Sequence, residues 1–441
     1  MNKFIYILYN ILGVPAIRVG FFLLSRFNKK ARLGYDGRRQ QRISLEKELK
    51  QIPKEKKRIL IHCTSVGEYE QAVPVINLLK RQNPELYLAI SFFSASGYNF
   101  VKKNENVDLK IYLPLDVYSR AEKLLSSLKP SLFIISKFDV WPNFVHVAGK
   151  MGVSVVMIAA TLSENSKRDK GLSKRLNRYI FKNFDFIFPI SKEDKNRFLA
   201  IYPFPEKMQI TGDTRFDQVY KKGQKILAEK PEPLFSNQEG LTFIGGSIWP
   251  ADEKHLLPVL IRMLHKHKNL KAILVPHELH EEHIKSIENV LQNGDVNSVR
   301  YTTLPEGEKS SERVIIVNSI GMLAKLYATT DFAYVGGSFS TGVHNVMEPA
   351  VFGQPVIFGP IYVNSFEALE LQKIESGFSI RNETELEKLF DIFVSNHEKR
   401  IQAGGRAEEL IKKNVGASDK IFKILNQRYG DINPGKTKRK N

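Results

Sequence analysis

The chain has 441 residues, of which 42% are hydrophobic and 26% charged. That composition excludes disorder as the main state, and the length suits two domains of ordinary size. Lys and Arg outnumber Asp and Glu by 66 to 47, a formal charge of +19 that asks for an anionic partner, either nucleic acid or a membrane surface. The single cysteine, Cys63, excludes an intramolecular disulfide and any cysteine-rich zinc or iron–sulfur site.

The first element runs from Phe4 to Leu24 and is almost wholly apolar, interrupted by Asn10, Gly13, Pro15 and Arg18. Its length just suffices to span a bilayer, whereas Arg18 and Pro15 disfavour a simple spanning helix. No small-residue cleavage site follows it. Between Arg26 and Arg58 stand thirteen Lys/Arg against four Asp/Glu, close to half of the excess charge. An apolar helix followed by a basic segment is the pattern of an anchor on an anionic membrane leaflet. The competing reading is a core helix with a solvated basic face. RNA-binding aromatic signatures and zinc-finger spacings are absent.

Short apolar runs then alternate with amphipathic ones. Strands are predicted at Ile59–Cys63, Leu86–Phe93, Leu109–Leu113, Leu132–Ser136, Ser154–Ala160, Phe186–Ile190 and Lys207–Thr211, with helices between most of them. Residues 220–240, rich in Pro, Ser, Asn and Gly towards the end, read as a partly helical linker. The alternation restarts with strands at Leu241–Gly245, Lys271–Val275, Val314–Val317, Phe332–Val335 and Pro355–Phe358, and the rest is mostly helical. Repeated β-α-β units imply parallel, doubly wound sheets, whose ligands bind beyond the carboxyl ends of the strands.

Three loops at such ends carry candidate chemistry. In His62-Cys63-Thr64-Ser65-Val66-Gly67-Glu68, Ser65 or Gly67 falls near a helix N-cap and Glu68 in the first turn. Glu68 is either a general base or a carboxylate that complements the helix dipole. Cys63 reads as a small core residue. Gly245-Gly246-Ser247 reads as a turn that opens a helix near Pro250, able to hold phosphate on backbone N–H groups or to serve as an ordinary tight turn. Gly336-Gly337-Ser338 begins a second such loop ending in His344-Asn345 and Glu348, where a carboxylate suits a ribose diol or a helix cap. His277, His280 and His283 have the spacing of a surface helix start rather than of a metal site.

As a set, Ser65-Val66-Gly67-Glu68, Pro114-Leu115-Asp116, Trp141-Pro142-Asn143, Leu162-Ser163-Glu164, Gly245-Gly246-Ser247, the run Gly336 to Pro349, and Phe358-Gly359-Pro360 resemble the 3-deoxy-D-manno-octulosonic acid (Kdo) transferases of lipopolysaccharide synthesis. The resemblance implies a glycosyltransferase-B architecture, two Rossmann-like doubly wound α/β domains facing a cleft, behind an N-terminal membrane-anchoring helix. The expected boundaries are an anchor at 1–30, an acceptor domain at 31–219, a linker at 220–240, a donor domain at 241–428 and a basic tail at 429–441.

It further implies an inverting transfer of Kdo from CMP-Kdo to a lipid A precursor, at the cytoplasmic face of the inner membrane, with no metal, cofactor or nucleic acid. By the same resemblance Glu68 is the catalytic base. Arg215, Gly246, Ser247, His277, Asn345 and Glu348 match donor-binding positions, and Ser65, Gly67, Asp139 and Asn143 acceptor-binding ones. The chain departs from the family at Lys137 and Asp139, where carboxylates of glutamate length are usual, at Thr161 in place of an arginine, and at His277-Glu278 in place of Arg-His. The alternatives are a sugar-nucleotide epimerase on the same plan and a membrane scaffold with inactive loops.

Overall fold

In a computed structural model the described residues are 2–53, 55–101, 104–164, 166–363 and 365–430; the expected basic tail beyond residue 430 lies outside them. The chain divides into two compact units, residues 1–218 with 416–441, and residues 219–415.

The first unit is built on strands β1 (Arg58–Cys63), β2 (Tyr87–Phe92), β3 (Leu109–Tyr112), β4 (Leu132–Ser136), β5 (Ser154–Ala160) and β6 (Phe186–Pro189). They form one parallel sheet in the order β3-β2-β1-β4-β5-β6, with Leu60 beside Ala89 and Phe133. Successive strand residues enter opposite cores. Leu60, Phe133 and Met157 belong to one, and Ile59, Ile61, Cys63, Ile134 and Ile158 to the other. Helices cover both faces, which is why the strands read as unbroken apolar runs. The region Lys207–Thr211, expected as a strand, is reduced to a bridge between Met208 and Ile187.

The second unit carries β7 (Leu241–Ile248), β8 (Leu270–Pro276), β9 (Val299–Arg300), β10 (Val314–Ile316), β11 (Phe332–Val335), β12 (Val356–Phe358) and β13 (Gly377–Ser379). This sheet is also parallel, in the order β13-β12-β11-β7-β8-β10-β9. Its two cores alternate in the same way, with Phe243 and Leu274 on one side and Ile244, Ile273 and Val275 on the other.

Two boundaries differ from the sequence expectation. The segment read as a linker from residue 220 begins inside the helix Thr214–Ala228. Helix Ala417–Tyr429, expected in the donor domain, belongs to the first unit, where Ile421 and Leu425 join the core beneath β1. Asp217 fixes that return: its carboxylate accepts the N–H groups of Gly416 and Ser418 at 2.5 and 2.6 Å.

The N-terminal segment is helical from Asn2 to Phe27, passing through a π-turn at Tyr9–Gly13 just before Pro15. The wider turn accommodates a residue that has no N–H to give. Residues Lys3–Phe27 are long and apolar enough to cross a membrane, and 6% of the most apolar stretch is buried. One face is docked: the Tyr6 hydroxyl donates to Asn143 Oδ1 at 2.5 Å and the Tyr9 hydroxyl to Asp116 Oδ2 at 2.7 Å. The other face leaves Phe4, Ile11, Leu12, Val19, Leu23 and Leu24 exposed.

Candidate functional site

In the first unit the site begins where β1 ends. Ser65 is the N-cap of helix Val66–Gln82 and Glu68 its third residue. Glu68 Oε2 accepts the Ser65 N–H at 2.7 Å and the Ser65 hydroxyl at 3.0 Å. The capping arrangement therefore exists, and it also fixes the carboxylate at the carboxyl end of the sheet. The Glu68 carbonyl accepts from Ser136 Oγ at 2.8 Å, tying this turn to β4. A Cβ on Gly67 would meet nothing within 4 Å, so the first helical turn is open on that side. Cys63 is fully buried, and burial pushes its thiol pKa well up, in keeping with a core role.

Asp139 and Asn143 have internal partners. Asp139 Oδ2 lies 3.1 Å from His62 Nε2 and accepts from Trp141 Nε1 at 2.9 Å. His62 is buried, with Nδ1 3.0 Å from Ser91 Oγ, and the Trp141 ring stacks on Phe93 at 4.4 Å. Asn143 is also buried: its amide donates to the Asp116 carbonyl, its oxygen accepts from Tyr6, and its N–H lies 3.1 Å from both Asp116 carboxylate oxygens. It is a packing residue that docks the N-terminal helix rather than a surface contact. Lys137 is exposed at a left-handed φ of 62°.

Arg215, expected with the donor residues, lies in the first unit, at the start of helix Thr214–Ala228. Its Nε and Nη2 donate to Asp213 Oδ2 at 2.9 and 2.7 Å.

In the second unit the Gly-Gly-Ser segment is not a turn: Gly245, Gly246 and Ser247 all lie within β7. The strand shifts register against β8 between Gly246 and Ile248, and Ser247 takes a left-handed φ of 54°. Such a bulge re-aims a side chain at a strand end, and the backbone strain of a non-glycine residue there is a mark of functional loops. Glycine is required by packing. A Cβ on Gly246 would stand 2.0 Å from the Tyr327 hydroxyl, and one on Gly336 2.2 Å from the Ser247 carbonyl.

Around this bulge Ser247 Oγ lies 3.4 Å from His277 Nδ1. The His277 ring stacks on Trp249 at 4.2 Å and on His344 at 4.9 Å, while Trp249 Nε1 donates to His344 Nε2 at 2.7 Å. Burial, then the neighbouring His277, lowers the His344 pKa below its usual 6.5. Asn345 Oδ1 accepts the Met347 N–H, opening the four-residue helix Met347–Ala350 that carries Glu348. Glu348 Oε1 pairs with Lys222 at 3.1 Å. His283 pairs instead with Glu253 at 2.8 Å, apart from His277's stack, and no cluster of metal-ligating side chains occurs among the described residues.

From the sequence, Asp252 and Lys222 drew no attention, and Trp249 and His344, though inside the candidate loops, were given no role. Asp252 is fully buried and accepts from the Trp249 and Gly337 N–H groups and the Tyr334 hydroxyl, joining the ends of β7 and β11. Its signal was available: an acidic residue three after Trp249 in a Trp-Pro helix start is a capping pattern. Lys222 had no signal, because only folding brings it to Glu348.

Two parallel, doubly wound α/β units with candidate residues at the strand ends define a Rossmann-like architecture. A family model described as 3-deoxy-D-manno-octulosonic-acid transferase matches residues 37–218. A 3-deoxy-D-manno-octulosonic acid transferase of Chlamydophila psittaci is 30% identical over 77% of this chain and 78% of its own length. A bifunctional glycosyltransferase/methyltransferase of Fusobacterium nucleatum is 27% identical over 84% of this chain, which spans 58% of that longer protein. Among solved structures, UDP-GlcNAc 2-epimerase of Neisseria meningitidis bound to UDP-GlcNAc superimposes with a TM-score of 0.59 at 14% identity, over 84% of this chain and all of that one. The last likeness establishes the glycosyltransferase-B type of fold and nothing of the activity. The chain belongs to the 3-deoxy-D-manno-octulosonic acid transferase family.

Proposed function

We propose that the protein transfers Kdo from CMP-Kdo to a glucosamine hydroxyl of a lipid A precursor, with inversion at the anomeric carbon. The observation that carries this reading is Glu68, fixed by Ser65 at the carboxyl end of β1 in a chain of this family. The second unit holds the donor. The Ser247 bulge receives the phosphate, Glu348 the ribose hydroxyls, and the Trp249–His277–His344 stack and Asn345 flank them.

The acceptor oxygen attacks the anomeric carbon while Glu68 takes its proton. The bond from that carbon to the phosphate oxygen breaks, and CMP leaves with the electron pair. Arg215 is the candidate cation for offsetting the charge of the leaving phosphate. One base suffices, because a phosphate leaving group needs little protonation. Acceptor contacts come from Ser65 and Gly67; Asp139 acts through His62 and Trp141.

The exposed apolar face of the N-terminal helix, with the basic segment behind it, seats the protein on the anionic cytoplasmic face of the inner membrane, where the acceptor resides. The test is CMP release from CMP-Kdo by wild type and by Glu68→Gln, with and without lipid acceptor. Acceptor-dependent release in the wild type alone supports the reading. Equal release by both proteins contradicts it.

A further inference from the structure

Between helix Lys29–Lys50 and helix Tyr118–Leu128 the first unit holds a cavity of about 570 Å³, open to solvent on one side, that the proposed reaction does not use. Its size falls within the roughly 300–1,000 Å³ of small-molecule sites. Phe21, Leu45, Leu49 and Leu124 give it an apolar wall, and Arg39, Arg42 and Arg120 line it with cations. Lys123, also in the lining, is neutralised by Glu46. Arg39, Arg42 and Arg120 form no close ion pair among the described residues, although the Glu46 carboxylate in the same lining also attracts Arg42 at longer range.

The placement of Arg120 is unfavourable twice over. It stands in the first turn of its helix, where the dipole disfavours a cation. Its side chain is solvent-exposed, yet partial desolvation and the nearby guanidiniums of Arg18 and Arg42 push its pKa down. An anion among these arginines relieves both penalties. The apolar wall calls for a hydrocarbon chain on the same molecule. Phe21 also connects the cavity to the N-terminal helix, whose neighbouring Val19, Leu23 and Leu24 are exposed.

We propose that this cavity binds one anionic phospholipid, its phosphate on Arg42 and Arg120 and an acyl chain against Leu45, Leu49 and Leu124. The inference leans on the membrane reading only for the source of the lipid, so its test uses lipid monomers. Full-length protein is titrated with dihexanoylphosphatidylglycerol below its micelle concentration, with dihexanoylphosphatidylcholine, and with inorganic phosphate.

The anionic lipid is expected to bind most tightly. Arg42→Gln/Arg120→Gln is expected to weaken it about tenfold or more through lost charge-assisted bonds, and Leu45→Trp to block it by filling the cavity. An unchanged melting temperature shows that these variants fold. Equal binding of the two lipids, unchanged binding by the variants, or phosphate binding as tightly as the lipid overturns the proposal. Anionic vesicles separate the two readings. Vesicle binding without monomer binding overturns the cavity site and leaves the membrane reading standing. Monomer binding without vesicle binding supports the cavity site and removes the membrane reading.

Discussion

Ser65 and Glu68 are joined twice, since one carboxylate oxygen accepts both the backbone N–H and the side-chain hydroxyl of the same serine, at 2.7 and 3.0 Å. Helix capping and the orientation of the proposed base are thus one interaction. Glu68→Gln is expected to lower turnover by about 10²–10⁴-fold, the usual worth of a general base, with CMP affinity unchanged. Ser65→Ala keeps the backbone bond and loses one hydrogen bond of roughly 1 kcal/mol, so turnover falls only several-fold. Steady-state kinetics with calorimetric CMP binding checks both. Loss of CMP affinity in Glu68→Gln would count against its role as base.

The close approach of β7 and β11 predicts a ranking of glycine substitutions. A Cβ on Gly336 meets the Ser247 backbone, which cannot move without shifting the bulge, whereas one on Gly246 meets a tyrosine hydroxyl. Gly336→Ala is expected to cost about 1–3 kcal/mol or more, and to weaken CMP binding through displaced Ser247. Gly246→Ala meets the end of a side chain rather than backbone and is expected to cost less. Thermal melts and CMP titration give the order; the reverse order would contradict the packing argument.

Asp116 makes stability depend on pH. Burial raises its pKa from the ordinary 3.8 to about 6, against the lowering effect of bonds from Asn143, Tyr9 and Phe144. A carboxyl raised on folding contributes stability that is complete below the unfolded pKa and is lost as pH rises through the folded one. The contribution is about 3 kcal/mol at most, lost between about pH 4 and 6. Asp116→Asn removes this dependence. Urea unfolding of both proteins from pH 4 to 7.5 should show the wild-type advantage shrinking as pH rises; a constant difference would refute it.

Glu348 and Lys222 form a partly exposed pair in the second unit. If Glu348 binds the ribose hydroxyls, Glu348→Ala lowers CMP affinity by about tenfold or more and changes the melting temperature little, since such pairs contribute about 0–1 kcal/mol. Calorimetry with CMP and with 2′,3′-dideoxy-CMP checks it. The variant should bind the two equally, whereas the wild type prefers CMP. A wild type indifferent to the hydroxyls would remove the assignment.

Most of both sheets was legible because parallel strands covered on both faces are plain apolar runs, as in β1, β4, β5 and β8. Loops at their carboxyl ends were legible as candidate chemistry, and Ser65 and Glu68 lie as the N-cap pattern requires. What failed depended on distant partners. Gly-Gly-Ser has turn composition, yet Gly245 and Gly246 pair with β8 and β11, and the lack of a side chain on Gly246 and on Gly336 lets Tyr327 and the Ser247 carbonyl approach. Asn143 sits in a surface-like Trp-Pro-Asn motif, but Tyr6 and Asp116 bury it from more than twenty residues away in sequence. Helix Ala417–Tyr429 reveals no unit by its periodicity; Asp217 decides that. His62 gave no sign of Asp139, 77 residues ahead.

The central claim is transfer of Kdo to lipid. Full-length protein is incubated with CMP-Kdo generated in situ and with lipid A precursor, and the lipid is weighed by mass spectrometry. The predicted result is a lipid heavier by one or more Kdo residues, formed by wild type and not by Glu68→Gln. Unchanged lipid mass with CMP-Kdo intact would contradict the assignment.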